Sequence, residues 1–84
     1  MVKKQKLYQR LLNNQKNVKF NQLITVVEAF GFVLDRIHGS HHTFRHTKIP
    51  DAFLQLQPDK NNEAKPYQIK QFLSLIEEYN LQMR

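Results

Sequence analysis

The chain has 84 residues and no cysteine, so it sits near the lower end of what folds without staples and can carry no disulfide framework. Its formal net charge of +6 and pI of about 9.8 favour polyanionic partners: nucleic acid, an acidic protein or an anionic membrane face. No apolar run is long enough to cross a membrane and no leading apolar segment resembles a secretion signal. A single cytoplasmic domain with no membrane partner is therefore expected.

Residues 2–14 are largely polar, and the spacing of Leu7, Tyr8, Leu11 and Leu12 forms one helical stripe. Lys3, Lys4, Lys6 and Arg10 lie off that stripe and read as a solvated face, with RNA phosphate as the other reading. A stripe this narrow is marginal as a free helix, so it should pack on the domain, on a second copy or on a partner. Residues 13–17 contain three asparagines and no apolar residue, a break. Phe20, Leu23, Ile24, Val27 and Phe30 then recur at three and four, predicting a helix over 20–30. Asn17 and Asn21 are both candidate N-caps, and Gly31 stands where a left-handed C-terminal cap belongs.

Two strands, 32–38 and 42–46, follow, separated by a turn that contains Gly39 and Ser40. Gly39 supplies the backbone freedom and Ser40 can hydrogen-bond locally. An odd loop over 39–41 pairs His38 with His42 and Arg36 with Phe44, and puts Leu34 and Phe44 on one face. It leaves Val33, Asp35, Ile37, Thr43 and Arg45 on the other. A two-residue loop would put Leu34 beside Arg45 and Phe44 on the other side, so the odd loop is the expected register. Residues 47–51 form a connection around Pro50. Residues 53–57 form a third strand with Leu54 and Leu56 facing inward, and 59–65 are a loop. Pro66 opens the last helix, over 66–81, where Ile69, Phe72, Leu73, Ile76 and Tyr79 give a clean stripe. The fold class that follows is α+β: a two-layer α-β-β-β-α domain on a three-stranded antiparallel sheet, with an extra N-terminal helix.

All four histidines, with Gly39, fall in 36–46. His41 comes out just past the turn, exposed but held by its backbone. Imidazole serves as acid or base near neutral pH without much tuning. Without further information a histidine in a polar hairpin is more often plain surface. His42 would point to the opposite face from His41 and reads as a partly buried structural group. His38 and His46 read as surface. A zinc site needs three or four ligands converging on a point. The only same-face set in the expected register is His38, His42 and His46, spread along two strands with no carboxylate, and no metal or other cofactor is expected.

Arg36-x-x-Gly39-Ser40-His41, with Phe44 three residues on, resembles the core motif of the HicA toxin family. These are small bacterial ribonucleases, mRNA interferases, of type II toxin–antitoxin systems. Residues 20–32 resemble the family's first helix and its exit, and 66–81 its closing helix. The likeness spans roughly 18–81, so 1–17 reads as an added segment and 18–84 as a HicA-like core. The resemblance implies a double-stranded-RNA-binding-domain-like fold, no metal requirement, mRNA as substrate, and a HicB-like antitoxin that binds the toxin and blocks its histidine. On that basis His41 is the expected catalytic residue, and general acid–base help of its kind is worth about 10²–10⁴-fold in rate. Arg36 is the leading phosphate contact, with Arg45, Lys48 and Lys70 as further cations and Ser40 and Thr43 as hydroxyls; Gly39 shapes the turn. Many relatives carry a second histidine after a proline on the third strand, whereas Leu56-Gln57-Pro58-Asp59-Lys60 contains none. Two rival readings are a non-catalytic RNA-binding module and an interaction domain that forms a homodimer through the leading helix.

Overall fold

The computed structural model describes residues 3–83, with the side chain of Lys3 left out; the expected helix start at Val2 lies outside them. In chain order the elements are α1 (Lys3–Asn13), α2 (Phe20–Ala29), β1 (Phe32–His38), β2 (His41–His46), β3 (Phe53–Leu56) and α3 (Pro66–Glu78). The strands form one antiparallel sheet in the order β1-β2-β3. This is the two-layer α+β arrangement expected from the sequence, with the extra helix in front.

Leucine, isoleucine and phenylalanine stripes bury against one side of the sheet. Leu23, Val26 and Val27 of α2 and Ile69 and Phe72 of α3 join Phe32, Phe44, Leu54 and Leu56 in one continuous core. Phe72 meets Phe30 and Phe32 edge-on, with ring centroids 5.7 and 6.0 Å apart. The leading helix packs on this core and on α2: Leu11 is buried, and Tyr8 lies edge-on to Phe30 at 5.0 Å. Leu12 remains outside, 44% exposed.

Neither candidate asparagine caps α2. The cap is Lys19, in extended conformation, whose N–H donates to Gln22 Oε1 at 3.0 Å. The entry to the helix is fixed instead by backbone pairing with the loop before α3: Ala64 N–H donates to Val18 O at 2.7 Å and Phe20 N–H to Asn62 O at 3.2 Å. Asn17 takes the left-handed conformation, φ 58°, and its carbonyl accepts from Arg10 Nη2 at 2.8 Å. Gly31 fills the expected left-handed position, φ 97°, and its N–H donates to Glu28 O at 3.0 Å. The last helix stops earlier than the apolar stripe suggests. Asn80, φ 52°, turns the chain, and the N–H of Leu81 reaches back to Ile76 O at 2.9 Å, so Leu81 is buried from beyond the helix end.

The hairpin register differs from the expected one. The loop is even, Gly39 and Ser40 alone, with His38 opposite His41, Ile37 opposite His42 and Arg36 opposite Thr43. One residue further, at Asp35, the register shifts and Leu34 comes opposite Phe44. A bulge therefore restores the apolar match that the odd loop was invoked to explain. The physical requirement is the same in both solutions: Leu34 and Phe44 share the helix-covered side. The bulge, however, carries Ile37 to that side and Arg36 and His38 to the other.

Candidate functional site

Gly39 has φ 65° while Ser40 does not share a positive φ, the pattern of a two-residue hairpin turn that places glycine first. The turn is tied to the end of β3. Ser40 Oγ accepts from Gln57 Nε2 at 2.9 Å, and Gln57 N–H donates to Gln68 Oε1 on α3 at 3.0 Å. Ser40 is thus engaged across the sheet and not with its own backbone as expected.

From this anchored corner the sheet presents an open side. Its first row is His38 and His41, the residues that flank the turn. Both line a shallow depression together with Gly39, Ser40 and Gln55. The second row is Arg36, Thr43 and Gln55, where Gln55 Nε2 donates to Thr43 Oγ1 at 3.5 Å. The third row is Val33, Arg45 and Phe53, and Phe53 is 60% exposed. Asp35, freed from the ladder by the bulge, reaches this side: Arg45 Nη2 donates to Asp35 Oδ2 at 3.2 Å, and Arg36 Nε lies 3.8 Å from the same oxygen. One carboxylate therefore holds the Arg45 guanidinium by a hydrogen bond and lies near enough to Arg36 to offset part of its charge.

Of the residues singled out in the sequence, His41, Ser40, Arg36, Thr43 and Arg45 are brought onto or beside this surface. Lys48 lies beyond the far end of β2, about 20 Å along the strand from His41. Lys70 is exposed on α3, in the layer on the other side of the sheet. Neither joins the group.

The other two histidines face the helices. His42 is half-buried, edge-on to Phe20 at 5.2 Å, and its Nδ1 donates to the Ser40 carbonyl at 3.0 Å, so that nitrogen carries the hydrogen. His46, expected at the surface, is also half-buried. It stacks edge-on to Phe32 at 5.3 Å, and its Nδ1 accepts from Lys48 N–H at 3.1 Å. The set His38, His42 and His46 is not on one face, because the bulge puts His38 on the opposite side. Among the described residues no group of three or more His, Cys, Asp or Glu converges on a point.

Three features of this surface escape a reading by regular alternation: Asp35 as the orienting carboxylate, Gln57 as the brace of the turn, and His38 as the neighbour of His41. The available signal was Asp35 itself, since aspartate is disfavoured in the middle of a strand and accepted at a bulge.

No helix among the described residues is long and apolar enough to cross a membrane. No curated protein and no solved structure matches the chain. A family model described as the HicA toxin of bacterial toxin–antitoxin systems matches residues 20–77, which takes in α2, the whole sheet and nearly all of α3. The chain belongs to the HicA toxin family and is the toxin member of a toxin–antitoxin pair.

Proposed function

We propose that this toxin is a metal-independent endoribonuclease that cleaves mRNA with His41 as its central acid–base group. The observation that carries the reading is the gathering of His41, Arg36, Thr43 and Arg45 on the uncovered side of the sheet by a two-residue turn and a single bulge. RNA supplies its own nucleophile, the 2′-hydroxyl, so the protein has only to move protons and stabilise charge on phosphorus. His41 takes the 2′-proton, and the Arg36 guanidinium meets the negative charge that grows on the phosphate oxygens. Exposed Phe53, beside Arg45, offers a face on which an unpaired base can stack, which favours a single-stranded region of the transcript.

The partner is a HicB-like antitoxin whose contacting surface is acidic, matching a protein of net charge +6, and which covers the hairpin corner. The test is expression of the wild type and of His41→Ala in a bacterium. Wild type should arrest growth and degrade transcripts, with cleavage slowed about 10²–10⁴-fold in the variant. Equal arrest and equal degradation by both would sink the assignment.

A second reading is favoured by one observation, the end of β3, where Gln57 and Pro58 stand without the histidine of many relatives. On that reading the same surface binds RNA without cutting it. Purified protein would then bind RNA with a steep salt dependence and leave it intact after long incubation.

A further inference from the structure

Cleavage by a 2′-hydroxyl needs two proton transfers. One group accepts the 2′-proton as the O2′–P bond forms, and another donates a proton to O5′ as the P–O5′ bond breaks. The products are a 2′,3′-cyclic phosphate and a 5′-hydroxyl end. His41 accounts for one transfer only. The second group must sit on the same side of the sheet, close enough to reach the same phosphate, and be able to give up a proton near neutral pH.

We infer that His38 is this second group, the general acid that protonates the departing 5′-oxygen, an assignment that rests on the reading of His41 as the base. The register places His38 directly opposite His41 across the turn. Residues directly opposite on one face have Cβ atoms about 4.5–5.5 Å apart, so two imidazoles there can approach one phosphate from two sides. Both rings line the same depression, both are exposed, and among the described residues neither ring is held by a hydrogen bond. The other titratable groups nearby are accounted for. Asp35 is engaged with Arg45 and Arg36, Lys65 Nζ lies 3.5 Å from Gln57 Oε1, and His42 and His46 point to the helices. The turn that fixes the two rings is braced through Ser40 and Gln57, so their separation is set by backbone and not by flexible loop.

The experiment compares full-length His38→Gln and His41→Gln with wild type on two substrates. One is an RNA oligonucleotide that the wild type cuts at a defined linkage. The other is the same strand with sulfur replacing the 5′-bridging oxygen at that linkage, a leaving group that departs without protonation. His38→Gln should cut the normal RNA about 10²–10⁴-fold more slowly and return to within about tenfold of wild type on the sulfur substrate. His41→Gln should be slow on both. Circular dichroism should show both variants folded, since both side chains are exposed. Normal cleavage by His38→Gln beside a slow His41→Gln overturns the role of His38 and leaves that of His41 standing. Slow cleavage of both substrates by His38→Gln, or rescue of His41→Gln by sulfur, also overturns the assignment. Normal cleavage of RNA by His41→Gln overturns the reading beneath it.

Discussion

His42 and His46 lie against phenylalanine rings under the helices, whereas His38 and His41, from the same hairpin, stand on the bare side of the sheet. The four share one side-chain chemistry. What separates them is what the pleat lets them touch. The inward pair have an aromatic edge and a hydrogen bond each, which fix the rings and commit one ring nitrogen. Among the described residues the outward pair have neither, and their nitrogens face the open side. The same division runs across the sheet: one side buries Phe32, Phe44, Leu54 and Leu56 and leaves the β1 positions Leu34 and Ile37 partly open, while the other carries two arginines, an aspartate, a threonine, two glutamines and an uncovered phenylalanine. A side chain's contribution to stability and its availability for chemistry are thus assigned by strand position, and adjacent residues should respond oppositely to substitution.

The sharpest contrast is between Phe44 and Thr43. Phe44 is almost wholly buried between Leu34 and Leu54, and Phe44→Ala should cost about 3–5 kcal/mol through lost burial and the cavity left behind. For a domain of this size that is a large fraction of the folding free energy. Thr43→Ala, one residue away on the open side, loses a β-branched residue from the central strand and should cost no more than about 1 kcal/mol. Urea melts of the two variants check this, and a comparable loss in both would mean that the open side is covered in solution.

The two glycines sharpen the same point at a smaller scale. Gly31, φ 97°, lies under His46, and a Cβ there would stand 2.9 Å from His46 Nε2. Gly31→Ala should therefore lose about 1–2 kcal/mol to backbone strain, with a further loss as the imidazole is pushed off Phe32. Gly39, φ 65°, has nothing within 4 Å of the added atom, so Gly39→Ala carries the strain alone. Replacing His46 with alanine in the Gly31→Ala background should recover part of the loss, and the Gly39→Ala loss should be indifferent to that change. A double-mutant cycle measures both.

How much of this the sequence could reveal depended on whether a local rule or a tertiary contact decided the outcome. The apolar stripes of α2 and α3, Pro66 at a helix start and Gly31 at a helix end are local, and all were legible. The cap of α2 was not, because Lys19 owes its place to backbone bonds with residues 62–64 and not to its side chain. The hairpin is the instructive case. That Leu34 and Phe44 share a face is legible in the sequence, but their direct pairing is not: two registers put them on one face, and regular alternation selects the one without a bulge, in which Arg36 would face Phe44. The difference places Arg36 and His38 beside His41 instead of behind it, so the composition of the candidate site hinged on Asp35, a residue whose charge marked it as a poor strand former.

The smallest effect comes from breaking the comparison at its closest pair, His41 and His42. His42→Ala removes an edge-on contact with Phe20, worth about 0.5–1.5 kcal/mol, and a hydrogen bond to the Ser40 carbonyl, worth about 1 kcal/mol net. The ring is half-buried and Ile37 beside it is largely open, so neighbouring side chains can settle into the space and the observed cost should fall near 1 kcal/mol. RNA cleavage should persist, because the ring faces the helices and its loss leaves Gly39, Ser40 and the brace from Gln57 in place. His41→Ala should show the reverse pattern, an unchanged urea midpoint with cleavage lost. Should His42→Ala abolish cleavage while the protein remains folded, the helix-covered side would be the reactive one, and the division between the two faces of the sheet would have to be redrawn.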